Sequence, residues 1–209
     1  MPDQYGRTHN NSPNPWLAPP PHVWHGANMT LEIKRVVTGV DANGTSIFYE
    51  DAVLPPLTAG LFPGTEFFQL WGTEGALASP VVNPMSDNKG FFPGLGGTRF
   101  GLFRFPPEIG APDEAPAPDE ETLNALVAES EEVLPGLLGV FEPDAPGFHQ
   151  TVTIDYAVVI EGDLWLELDN GAETHLPVGS TIIQNGARHA WHNHGDVPAT
   201  LAYVILSVG

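Results

Sequence analysis

Two short segments near the end of the 209-residue chain carry the side chains best suited to chemistry. In the first, HQTVTID, polar residues occupy every second position: His149, Thr151, Thr153 and Asp155. Alternate residues of a β-strand point to the same face, so these four side chains are expected to line one surface. An imidazole and a carboxylate on a shared surface can hold a metal ion or transfer a proton.

The second segment, ARHAWHN, places His189, Trp191 and Asn193 on one face by the same alternation. Gln184, at the end of the strand before it, is a further candidate for a hydrogen bond to a ligand. If both faces point into one interior, that pocket contains two imidazoles, a carboxylate, two hydroxyls and an indole. Each of these groups needs a partner once it is buried.

Three neighbouring histidines are predicted to face away from this pocket. His192 and His194 have the opposite parity to His189, and His175 lies in the hairpin before them. We expect all three on the outer surface.

Strands must position these residues, and the chain is predicted to be mostly β. It contains 22 prolines and 23 glycines but only 16% charged residues, which favours many short strands and turns. The pair Asn43-Gly44 between two apolar segments predicts a hairpin. One helix is expected, with Asp119 as its N-cap and Pro135-Gly136 as its stop.

Charge and composition restrict the partners. The formal net charge is −19, so nucleic acid and anionic membrane surfaces are excluded as partners by repulsion. The absence of cysteine excludes disulfides, thiolate metal ligands and a cysteine nucleophile. No segment approaches the roughly 18 apolar residues of a membrane span, and no leader peptide is recognisable, so we expect a cytoplasmic protein.

The sequence divides into an extended N-terminal arm and one body. Trp16 and Trp24 in the arm are candidates to dock on the body or on a second subunit, and we expect a homodimer. The predicted units are the arm (1–28) and a barrel (29–209), the barrel comprising N-terminal strands (29–106), an acidic linker with the helix (107–146) and the strands that carry the polar segments (147–209).

The first polar segment resembles the first motif of the cupin superfamily. The matching positions are His149, Thr151, Asp155 and a glycine at position 162. The match departs from the family pattern twice, because Thr151 stands in place of a second histidine and Asp155 in place of a glutamate. A threonine hydroxyl is a poor ligand for a divalent metal at neutral pH.

The second segment is similar to the second cupin motif, with Gly179, Gly186, His189 and Asn193 at the matching positions. The spacing from glycine to histidine is one residue shorter than usual, and Asn185 stands where a proline is common. The two motifs cover roughly the last third of the chain.

The resemblance implies an all-β cupin double-stranded β-helix, a jelly-roll-like barrel with N-terminal extra strands and one peripheral helix. It also implies a divalent metal, Fe, Mn or Zn, near the barrel axis. The implied ligands in this chain, which are also the candidate catalytic residues, are His149, Asp155 and His189. Two imidazoles and a carboxylate leave coordination positions open for substrate or dioxygen.

Three functions remain open from the sequence. The first is a metal-dependent cupin enzyme with oxygenase, lyase or decarboxylase chemistry on a small organic ligand. The alternatives are a non-catalytic binding protein with a vestigial metal site and a metal-free acid/base isomerase or lyase. No Lys or Arg occurs between Arg104 and Arg188, which favours a largely neutral aromatic or polyketide-like molecule.

Overall fold

A computed structural model describes residues 31–75, 90–108 and 118–208 of the chain. The predicted arm (1–28), with Trp16 and Trp24, and most of the acidic linker lie outside the described residues. The predicted contacts of the two tryptophans with the body or a second subunit stay a prediction.

The described residues form ten β-strands, one α-helix and two short 3-10 helices at Leu138–Val140 and Asp169–Gly171. In chain order the elements are β1 (Ile33–Val40), β2 (Ser46–Leu54), β3 (Glu66–Thr73), β4 (Thr98–Phe105), α1 (Glu120–Val133), β5 (Thr153–Glu161), β6 (Leu164–Glu167), β7 (Glu173–Leu176), β8 (Thr181–Asn185), β9 (Ala190–His192) and β10 (Ala199–Ser207). The predicted all-β class is confirmed.

The strands form two antiparallel sheets and a separate hairpin. The larger sheet has the order β3-β4-β10-β5-β8, the smaller sheet has the order β7-β6-β9, and β1 pairs with β2. One apolar cluster joins the two sheets, with Val159 and Leu201 from the larger sheet packed with Leu164 from the smaller one. The two sheets therefore enclose a common interior.

The expected hairpin and helix are both present. Gly44 has φ 81° in the turn between β1 and β2, a conformation that glycine adopts without steric cost. The Asp119 side chain accepts a hydrogen bond from the Thr122 backbone N–H at 2.8 Å, as predicted for the N-cap of α1. Leu134, directly after the helix, is fully buried and anchors it to the body.

Gly162 connects the two sheets at the turn from β5 to β6. Its φ is 64°, and a Cβ there would lie 2.5 Å from the Pro198 carbonyl oxygen. A side chain at this position would force β5 away from the loop before β10. Within the described residues, no helix has the length and apolar character needed to cross a lipid bilayer.

Candidate functional site

A cavity of about 500 Å³ opens into the interior shared by the two sheets. Its wall is mainly aromatic and aliphatic, with seven phenylalanines contributed by strands and loops: Phe62, Phe67, Phe91, Phe92, Phe103, Phe105 and Phe141. The volume is in the range of ordinary small-molecule pockets.

Six of the predicted site residues line this cavity together: His149, Thr151, Asp155, Gln184, His189 and Trp191. The parity argument therefore places the two motifs on one interior surface. Their roles in binding or catalysis remain predictions.

A pair of backbone hydrogen bonds brings the two histidines side by side. The N–H of His149 donates to the carbonyl of His189, and the reverse bond has the same length, 3.0 Å. The ring centroids are 4.2 Å apart. The first motif and the second motif therefore meet at their histidines.

Backbone carbonyls fix the tautomer of both rings. His149 Nδ1 donates to Gly147 O at 3.1 Å, and His189 Nδ1 donates to Ala187 O at 2.8 Å. A carbonyl only accepts, so in the neutral ring the proton is on Nδ1 and the lone pair is on Nε2. Each histidine thus presents a basic nitrogen.

Both histidines are neutral at physiological pH. Burial lowers the pKa of His149. Burial, together with the neighbouring His149, lowers the pKa of His189 to about 4. An imidazolium would lose its hydration in this cavity, so the uncharged form is favoured.

Asp155 is the ionisable carboxyl on the wall of the larger sheet. Burial raises its pKa to about 6, against the opposing effect of the Thr153 hydroxyl. Its Oδ1 is buried and has no hydrogen-bond partner among the described residues. The same is true of Nε2 of Gln184, the residue paired with Asp155 across β5 and β8.

The three implied metal ligands are not assembled in this arrangement. In the described part of the chain, three His, Asp or Glu ligand atoms come within 4.8 Å of one another only in the group Glu108, His192 and His194, which is outside the cavity. Thr151 is not a suitable third metal ligand either, since its neutral hydroxyl is hydrogen-bonded to the Thr153 hydroxyl at 2.7 Å. The residues present therefore fit a metal only as a two-histidine site.

Two predicted residues lie away from the cavity wall. Thr153 is buried beside Thr151 and is not among the lining residues. Asn193 differs from the expectation because its side chain holds a turn: its Nδ2 donates to Phe105 O and Val197 O, and its Oδ1 accepts from Gly195 N. Its polar side-chain atoms are hydrogen-bonded within the protein.

Tyr203 lines the cavity and was missed by the sequence argument. It is fully buried, and burial raises the pKa of its hydroxyl, with the Asp155 charge acting in the same direction. Its ring stacks on Phe103 with centroids 4.5 Å apart. The available signal was the alternation in TLAYVILSV, which puts Leu201, Tyr203 and Ile205 on one face.

Comparison with known proteins gives partial matches. No family model matches the chain. It is 36% identical over 61 residues to the cupin-domain-containing oxidoreductase virC of Hypocrea virens, covering 28% of this chain and 31% of that protein. It is 36% identical over 69 residues to the cupin-domain-containing oxidoreductase fogC of Aspergillus ruber, covering 30% and 34%.

Two of these relatives are named for a cupin domain, and the chain is similar to them over less than a third of its length. A further relative, the oryzines biosynthesis cluster protein J of Aspergillus oryzae, is 44% identical over 48 residues, covering 23% of this chain and 27% of that protein. The solved cupin domain of Schizosaccharomyces pombe Cnp3 aligns over 83% of this chain and 87% of its own, at 11% identity and a TM-score of 0.38. The chain thus spans only about a quarter to a third of the length of these curated relatives.

Proposed function

We propose that this chain is a cupin enzyme that acts on a small, largely neutral aromatic or polyketide-like molecule in the barrel interior. The observation that carries the proposal is the pair of unpartnered atoms, Asp155 Oδ1 and Gln184 Nε2, in a cavity whose wall is mainly apolar. Leaving two such atoms buried without partners is costly, and a ligand with a hydroxyl or enol group would satisfy both.

The charge of the cavity supports a neutral ligand. Among the described residues that line it there is no Lys or Arg. The arginines that the sequence offered are engaged elsewhere: Arg99 pairs with Glu74, Arg104 with Glu161 and Arg188 with Glu142. A carboxylate or phosphate on the ligand would find no fixed cation.

The chemistry open to the site is proton transfer. Asp155, with a pKa of about 6, can exchange a proton with a bound hydroxyl or enol near neutral pH. The Nε2 atoms of His149 and His189, in the same cavity, are unprotonated in the neutral rings and can accept a hydrogen bond from the ligand. This arrangement supports the acid/base isomerase or lyase form of the function.

The names of two relatives, which call them oxidoreductases, favour a redox form of the function. His149 and His189 would supply two Nε2 ligands to iron, manganese or zinc, which would bring Lewis-acid or redox chemistry to the cavity. Asp155 would have to move toward the histidines to complete the set. If a ligand binds and no turnover is found, the protein is a non-catalytic binding protein.

Ligand binding tests the proposal directly. We expect 2-naphthol to bind about 30-fold more tightly than naphthalene, since one donated and one accepted hydrogen bond are each worth about 1 kcal/mol net. Gln184→Leu removes only the accepted bond and should reduce this preference to about fivefold, while naphthalene binding is unchanged. Titration calorimetry measures both affinities.

The matched control is Ile183→Ala, which changes the neighbouring residue on the exposed face of β8. It should leave both affinities unchanged. Equal affinity of 2-naphthol and naphthalene for the wild-type protein, or an equal loss in both variants, would contradict the assignment of the ligand site.

A further inference from the structure

A second cluster of histidines and carboxylates lies on the outside of the barrel. Its members are Glu108, which follows β4, and His192 and His194, which are at the end of β9 and just beyond it. Their ligand atoms all lie within 4.8 Å of one another. We propose that this cluster is a binding site for a divalent transition metal ion, with zinc as the ion it suits best.

The carboxylate of Glu108 spans the two rings. Its Oε1 lies 3.1 Å from His192 Nδ1, and its Oε2 lies 3.2 Å from His194 Nδ1. The two rings are nearly parallel, with an interplanar angle of 10° and centroids 5.3 Å apart. Both Nδ1 atoms are therefore directed at the same carboxylate, so an ion placed among them would be within reach of all three residues.

The opposite nitrogen of each ring is also held by a carboxylate. His192 Nε2 lies 2.9 Å from Glu167 Oε2, and His194 Nε2 lies 2.9 Å from Glu173 Oε1. Histidines that bind a metal through one nitrogen almost always donate the other N–H to a carboxylate, carbonyl or water, which orients the ring and strengthens the ligand. Both histidines already have this arrangement, and it is independent of the contacts to Glu108.

The backbone keeps the three ligands in place. Asn193, between the two histidines, is 1% exposed and fixes its turn through three side-chain hydrogen bonds. The Glu108 N–H donates to Asn193 O at 2.9 Å, which ties the far ligand to the same turn. A ligand set held by rigid backbone loses little freedom when an ion binds.

The donor set indicates the class of metal. Two imidazoles and one carboxylate, with no thiolate in the chain, are typical of zinc sites that keep a fourth position for water. None of the three residues lines the interior cavity. A metal found on this protein therefore need not be in the barrel interior.

Zinc binding to the untagged full-length protein tests the proposal, measured by equilibrium dialysis with metal analysis. We expect His194→Ala, which alters a half-exposed side chain, to remove one zinc equivalent that the double variant His149→Ala/His189→Ala retains. Glu173→Gln should weaken the same zinc about 10- to 100-fold, because it removes only the carboxylate behind the ring.

Far-ultraviolet circular dichroism of each variant verifies the fold, and Glu108→Gln gives a second change of a direct ligand. Loss of the equivalent in His194→Ala and its retention in the interior double variant supports the outer site. Wild-type protein without bound zinc, or a His194→Ala variant that keeps every equivalent, would overturn it.

Discussion

His189, directly before β9, and His192, at its end, are three residues apart, yet they lie in opposite chemical environments. His189 faces an aromatic interior, where a carbonyl holds one nitrogen and burial lowers its pKa to about 4. His192 faces outward, with a carboxylate at each nitrogen. The comparison shows that the strand alternation, more than the residue type, decides what a histidine in this motif does.

The partners of the two pairs lead to different ligands. The inner pair of His149 and His189 meets carbonyls and phenylalanines, so it stays neutral and suits an apolar molecule with a polar end. The outer pair of His192 and His194 meets Glu108, Glu167 and Glu173, so it suits a cation. Carboxylates raise the pKa of His194, opposite to the effect of burial inside.

The largest effect is expected from Asn193→Ala. The change leaves two carbonyls and one N–H near a buried turn without their partner, which should lower the free energy of unfolding by about 3 kcal/mol. Urea denaturation measures this loss.

The same variant separates the two sites. Zinc binding outside should weaken, because the turn between His192 and His194 loosens, while 2-naphthol binding inside should persist. Asn185→Ala, at an exposed position on β8, is the matched control and should change neither. An equal loss of affinity for zinc and for 2-naphthol in Asn193→Ala would mean that the two sites are not independent.

A smaller effect is expected from His189→Gln and depends on pH. The pKa of His189 is about 4 in the folded protein against 6.5 ordinarily, so the folded state binds fewer protons than the unfolded state between these values. Its contribution to stability is therefore lost as pH falls through this window, on the order of 2 kcal/mol by pH 5.

His189→Gln should remove that loss, so the variant gains stability relative to wild type on acidification. Asp155 has the opposite effect on the pH dependence of stability, because its raised pKa of about 6 favours folding at low pH. Asp155 is present in both wild type and His189→Gln, so its effect cancels in the difference between them. His175→Gln, at a surface histidine, is the control. Parallel pH profiles for wild type and His189→Gln would mean that the inner ring is hydrated.

The sequence predicted the inner site better than the outer one for a physical reason. Alternation along two strands is a local property, and it placed His149 and His189 inside and His192 outside. The outer cluster depends on Glu108, which lies 84 residues before His192 and reaches it only through the sheet order. No sequence pattern around Glu108 indicates this partner.

Asn193 and Thr151 show a second limit. Both types can serve a ligand, and the motif placed both in the pocket. The structure uses the Asn193 amide to close a turn and the Thr151 hydroxyl to contact Thr153, because backbone and side-chain groups nearby satisfy them first. Such competition between local and ligand hydrogen bonds is not visible in a spacing pattern.

The most direct test of the contrast between the two pairs is a histidine side-chain ¹H–¹⁵N spectrum recorded without metal at about pH 5.5. The pKa of His189 is about 4, so we predict a neutral ring with its proton on Nδ1, while His194, whose pKa is raised by Glu173, carries both protons. A protonated His189 together with a neutral His194 at this pH would contradict the account.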